Sequence, residues 1–102
     1  MSGIHLDQLK ETPGAREGET HEHRVKRLAM RSMRRGIKEM DIILSRYADD
    51  HLDGMRTDEL DLYEALLGEN DQDLYQWVSG QQDAPAGLSD LVARIAEHMQ
   101  AR

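Results

Sequence analysis

The stretch Arg34-Arg35-Gly36-Ile37-Lys38-Glu39-Met40-Asp41 gathers the side chains best placed to do chemistry in this 102-residue sequence. Arg35 and Glu39 stand four apart, a spacing that puts them on one face of a continuous helix, where guanidinium and carboxylate can pair. An exposed pair of that kind contributes less than about 1 kcal/mol. Gly36 between them is the unusual residue. Inside a helix it costs about 1 kcal/mol relative to alanine, yet both its flanks are apolar at helical spacing. Two readings account for it. Gly36 ends one helix and permits a turn into the next, or its missing side chain lets a partner's backbone come close, with an arginine and a carboxylate on either side as charge-assisted donor and acceptor. The two are compatible, and the residues leave both open.

Elsewhere the catalytic inventory is thin. The sequence has no cysteine, which excludes disulfides, thiolate metal sites and a thiol nucleophile. His5, His21, His23, His51 and His98 are dispersed. His21 and His23, two apart, point to different sides of a helix and make a poor metal grip. Ser32, Ser45, Ser79 and Ser89 lack a nucleophile elbow. No glycine pattern cradles a phosphate, and the many carboxylates read as solvated helix faces.

The elements that must position these groups are helices. Residues 1–20 carry Gly3, Pro13, Gly14 and Gly18 with few apolar side chains and read as a disordered leader, followed by a single domain over 21–102. Val25, Leu28, Ala29 and Met33 recur at helical spacing, and after Gly36 a second stripe runs Ile37, Met40, Leu44, Tyr47 and Ala48. Gly54 is a plausible stop. Thr57 offers an N-cap, with Asp58 and Glu59 suited to the helix dipole, for a helix burying Leu60, Tyr63 and Leu67 and ending at Gly68. Asn70, with Asp73 three residues on, resembles a capping box before a short helix carrying Leu74, Trp77 and Val78. Beyond a loop at Pro85 and Gly87, Leu88, Leu91, Val92, Ile95, Ala96 and Met99 form the cleanest amphipathic pattern. The expected fold is an all-α, compact bundle of about five short helices. With no phenylalanine in the chain, Tyr63, Tyr75 and Trp77 are expected to fill its core.

Charge is unevenly spread. The net value is −7, but residues 21–46 hold Arg24, Lys26, Arg27, Arg31, Arg34, Arg35, Lys38 and Arg46 against Glu22, Glu39 and Asp41, net +5. Residues 47–102 are net −10. The acidic average argues against nucleic acid, while the basic segment 21–46 keeps a helical adaptor or nucleic-acid-binding regulatory module as the alternative function. Aliphatic runs such as Ile42-Ile43-Leu44 fall far short of the roughly 20 residues that cross a bilayer, so no membrane insertion is expected. The first residues lack a signal-peptide layout, and Asp7, Glu11, Glu17 and Glu19 are out of keeping with a mitochondrial presequence. A cytoplasmic protein is the expectation.

From about Val25 to Ala101 the sequence resembles the succinate dehydrogenase flavinylation factors, the FAD assembly factor family. The resemblance rests on a basic first helix leading into Arg35-Gly36-x-x-Glu39, then Met40-Asp41, His51-Leu52-x-x-Met55, Leu60-x-Leu62-Tyr63-x-x-Leu66-Leu67, Asp71-x-Asp73-Leu74-Tyr75-x-Trp77 and the amphipathic last helix. Arg31 stands where some bacterial members carry an aromatic, Gln72 replaces a proline of many relatives, and residues 1–20 match nothing. The resemblance implies a chaperone rather than an enzyme. It would bind the flavoprotein subunit of succinate dehydrogenase, with fumarate reductase as a further candidate client, and promote covalent attachment of FAD to that client, holding no cofactor of its own. It implies client-binding roles for Arg35, Gly36 and Glu39, with Arg34 and Lys38 as steering charges. Asp41 is either a client contact or a helix-face acid.

Overall fold

The computed structural model describes residues 14–101, among which there are five α-helices and no strand. They are α1 (His21–Ser32), α2 (Lys38–His51), α3 (Thr57–Leu67), α4 (Asp71–Val78) and α5 (Ser89–Ala101), with a 3₁₀ turn at Leu52–Gly54. The expected all-α bundle is what the chain forms. Among the described residues no helix is long and apolar enough to cross a membrane.

Local chemistry sets most of the boundaries. Thr20 caps α1 by accepting from the His23 N–H (3.1 Å), and Asn70 caps α4 by accepting from Gln72 (2.8 Å) and Asp73 (3.4 Å), each quenching N–H groups that the helix itself cannot. For α3 the cap lies one residue earlier than expected: Arg56 holds that position and Thr57 is the first helical residue. Glu59 reaches back to accept from the Arg56 N–H (2.8 Å), so the first-turn acid supplies what the predicted threonine cap does not.

The stripes read from the sequence converge on one core. Leu28, Met40, Leu44, Leu52, Leu60, Tyr63, Leu66, Leu74 and Ile95 are all buried. Helix α2 is the central element, packing against α1, α4 and α5. Tyr63 is the one expected aromatic that is fully buried; Trp77 packs against the core part-buried, and Tyr75 is exposed. Tyr75 follows Leu74 on an eight-residue helix whose buried residues are Leu74 and Val78, and a residue next to a buried one lies about 100° round the helix, away from the core. The Tyr63 hydroxyl lies 2.6 Å from Ser32 Oγ. Ser32 Oγ also lies 2.8 Å from the Leu28 carbonyl, and the Tyr63 hydroxyl 3.5 Å from the Leu44 carbonyl. Burial pushes the Tyr63 phenol well above its ordinary range.

The two charge halves close on each other through Glu64, whose side chain is fully buried on α3. Its carboxylate accepts from Arg24 (3.0 Å) and Arg27 (2.7 Å) of α1 and from the Gly14 N–H (3.2 Å), with Arg31 at 3.7 Å. Arg24 also meets Asp61 at 2.6 Å. Burial works to raise the Glu64 pKa, but the hydrogen bonds from Arg27, Arg24 and Gly14 outweigh it and hold the group below the ordinary carboxylate range. Of the expected leader, residues 1–13 lie outside the described residues, whereas 14–20 are tied to the bundle. Glu19 accepts two bonds from Arg27 (2.8 and 2.9 Å), and Arg27 donates to the Gly14 carbonyl (3.3 Å). Low apolar content does not leave this segment loose, because buried charge rather than apolar area fixes it.

This clasp should be visible in both mutational and acid denaturation. Glu64→Ala leaves arginines without their shared anion and should destabilise the fold by about 3–5 kcal/mol in urea denaturation. The hydrogen bonds from Arg27 lower the Glu19 pKa from 4.5 to about 2. A depressed carboxyl pKa gives stability that is present above the unfolded-state value and lost as pH falls through the folded one. The melting temperature should therefore hold steady down to about pH 4.5 and fall between there and about pH 2. Glu19→Gln should flatten that slope.

Candidate functional site

The motif lies where α1 ends. After Ser32 the last turn tightens through Met33 N–H to Met30 O (3.1 Å) and Arg34 N–H to Arg31 O (3.3 Å), and the chain then leaves the helix until Lys38. Ile37 holds the N-cap position of α2 and provides no side-chain cap. The backbone N–H groups just before it need acceptors, and two carboxylates supply them. Asp41 Oδ1 accepts from Arg35 N–H (2.6 Å), and Asp71 Oδ2 accepts from Gly36 N–H (2.6 Å).

Arg35 does not pair with Glu39 as the spacing predicts, because the helix that would align them is broken at the turn. Its side chain, only 8% exposed, reaches instead across to the α3–α4 junction. Nε donates to Asp71 Oδ1 (2.6 Å), while the two terminal nitrogens donate to the Leu67 carbonyl (2.9 Å) and the Glu69 carbonyl (3.1 Å). The guanidinium fork thus satisfies carbonyls at the end of α3 and a carboxylate at the start of α4, where the helix dipole favours negative charge. Asp41, a part-exposed acid in the first turn of α2, bonds the chain's own backbone across the turn.

Gly36 takes the turn role. Its φ is not positive, so the left-handed region is not what requires glycine. The requirement is close approach: a Cβ here would lie 3.1 Å from Asp71 Oδ2. That oxygen is held by the Gly36 N–H while its partner oxygen is held by Arg35, so it has little freedom to retreat. The close neighbour at Gly36 is the chain's own carboxylate.

Around this braced turn the surface mixes charge with apolar groups. Arg34, Lys38 and Glu39 are exposed, and so are Met30, Met33 and Ile42, with Met33 the most exposed at 61%. Of the eight basic residues of 21–46, Arg24, Arg27, Arg31 and Arg35 are among those drawn into ion pairs within the chain. Asp71 is the residue the motif reading missed. It lies 35 positions from Gly36, and its local signal, an acid in the first turn after a cap, reads only as helix chemistry.

The dispersed histidines also come together in part. His51 and His98 approach to 5.1 Å between ring centroids, both against Tyr47, and His98 Nε2 meets Asp50 at 2.6 Å. They line a groove of about 590 Å³ where α2 and α5 meet the first half of α3. Among the described residues no group of three or more His, Asp or Glu side chains could hold a metal ion.

Residues 26–99 match the family model described as flavinator of succinate dehydrogenase. The chain belongs to this family. It is 45% identical over 82 residues to succinate dehydrogenase assembly factor 2, mitochondrial, of Meyerozyma guilliermondii, covering 80% of this chain and 57% of the relative. With the relatives of the same name from Candida glabrata and Penicillium rubens it shares 42% identity over 74 residues and 41% over 89. Those two alignments cover 72% and 87% of this chain, and 48% and 27% of the relatives. The chain spans about half the length of the first curated relatives it matches. These names also correct the cytoplasmic expectation, since each of those relatives is named as mitochondrial. Asp7, Glu11, Glu17 and Glu19, which suggested otherwise, all precede the residues 26–99 that match the family, so they carry no family information about compartment.

The brace predicts an unequal exchange at position 35. Lysine keeps the charge but offers no planar fork to reach Asp71 and two carbonyls at once. Arg35→Lys should lower unfolding free energy by about 1–3 kcal/mol, the cost of stranded buried acceptors. Chemical denaturation would measure it.

Proposed function

We propose that the chain binds the flavoprotein subunit of succinate dehydrogenase and promotes covalent attachment of FAD to it. Family membership supports this reading, and the observation that carries it is the braced turn Met33–Lys38. Two carboxylates and the Arg35 fork fix its backbone from behind, while its outer side offers Arg34, Lys38 and Glu39 beside exposed Met33 and Ile42. A surface ordered before contact loses little conformational entropy on binding, and apolar anchors ringed by charge suit a protein partner.

The six candidate residues then divide by role. Arg34 and Lys38 steer the encounter electrostatically, and Glu39 accepts hydrogen bonds from the client. Gly36 lets the turn close onto Asp71, and Arg35 and Asp41 hold its shape from inside. The chain acts as a chaperone and holds no cofactor of its own. Flavin and client supply the electrons of the new bond, while this chain holds the client in an attachment-competent conformation. The proposed client is confined to succinate dehydrogenase, the enzyme named by the family and the relatives. The inward pairing of Arg24, Arg27, Arg31 and Arg35 weakens the alternative of a phosphate-tracking basic face on 21–46.

Coexpression of the flavoprotein subunit with the wild-type chain or with Gly36→Arg tests this, read as flavin fluorescence in a denaturing gel. A side chain at 36 displaces Asp71 and covers the turn, and covalent flavin should fall about tenfold, equivalent to about 1.4 kcal/mol. Equal covalent flavin with a folded variant would contradict the role of the turn.

A further inference from the structure

We infer that Asp71 is a positioning residue for client recognition, setting the shape of the Arg35-Gly36 turn from α4, and this rests on the reading of that turn as the client-binding surface. One carboxylate holds two consecutive motif residues in different ways. Oδ1 takes the Arg35 side chain and Oδ2 takes the Gly36 backbone N–H, both at 2.6 Å. Asp71 is the first residue of α4, which is anchored in the core by Leu74 and Val78 and capped by Asn70. The turn is thereby referred to a rigid element 35 residues away in sequence. The Asp71 side chain is 17% exposed and packs behind the turn, so it acts on the partner through Gly36 and Arg35.

A carboxylate is required because both of its partners are donors. Asparagine offers one oxygen and one NH₂ group. Whichever way the amide turns, one donor of the pair faces another donor, so one of the two bonds is lost and the turn is held from one side only. Asp71→Asn should therefore relax the turn while preserving the size of the side chain. Asp71→Glu keeps two acceptor oxygens one methylene further out and should restore part of the geometry.

The experiment measures the affinity of the full chain for the flavoprotein subunit by titration calorimetry, alongside covalent flavin formed at saturating chain and amide exchange at residues 35 and 36 in the free protein. For Asp71→Asn the expected results are an affinity about tenfold weaker (about 1.4 kcal/mol), faster exchange at those amides, and covalent flavin at saturation close to wild type. Asp71→Glu should fall between the two. Ile95→Ala, which thins the buried face of α5 and leaves the residues of the turn and of α4 as they are, should lower the melting temperature and leave affinity unchanged. Wild-type affinity in Asp71→Asn would overturn the inference, as would equal weakening by Ile95→Ala, which would mark the effect as general loss of stability. If the wild-type chain itself fails to bind the subunit, the functional reading falls and this inference falls with it. The three failures are distinguishable within one set of titrations.

Discussion

The rest of the structure depends on the buried carboxylate of Glu64. A charge held away from water is costly unless it is matched, and here Arg24 and Arg27 match it directly with Arg31 nearby. This one anion draws the basic helix α1 onto the acidic α3, and through Arg27 it also fixes Glu19 and Gly14. Once α1 is seated on α3, its last residues must leave the bundle beside the α3–α4 junction, where the Arg35 fork meets Leu67, Glu69 and Asp71. A net charge of −7 conceals this arrangement. Four arginines of the basic segment, Arg24, Arg27, Arg31 and Arg35, pair inward and serve cohesion, and Arg34 and Lys38 are among the cations left exposed.

Features governed by near neighbours were legible in the sequence. The 3.6-residue stripes place all five helices, and Asn70 shows itself as a cap because the N–H groups that donate to it lie two and three residues away. Gly36 is visible as an anomaly, although its two explanations cannot be separated without knowing what lies opposite. What the sequence conceals is set by contacts across long separations. The Arg35–Glu39 pair is predicted from a helix that does not run through, and nothing local reveals that Asp71 waits 35 residues on to hold Gly36. The same limit applies to His51 and His98, which α2 and α5 bring together, and to residues 14–20, whose order comes from Arg27 and Glu64. Tyr75 escapes the core because α4 has only two buried positions, both taken by aliphatics.

The motif therefore combines two kinds of residue that a linear reading treats alike. Arg35 and Asp41 face the chain itself and keep the turn in shape, as does Asp71 from α4. Arg34, Gly36, Lys38 and Glu39 lie on the outside, next to Met33 and Ile42. This division would let a chain without cysteine or a recognisable catalytic set assist a covalent reaction on another protein. What it contributes under the proposed function is a preformed shape, while the chemistry resides in flavin and client.

The most direct test is hydrogen exchange of the chain, free and in complex with the flavoprotein subunit of succinate dehydrogenase, followed by peptide across residues 14–101. A client-binding turn predicts new protection concentrated over residues 33–42, with the α2–α5 groove at His51 and His98 unchanged. Protection confined to that groove, with the turn exchanging as in the free chain, would contradict it.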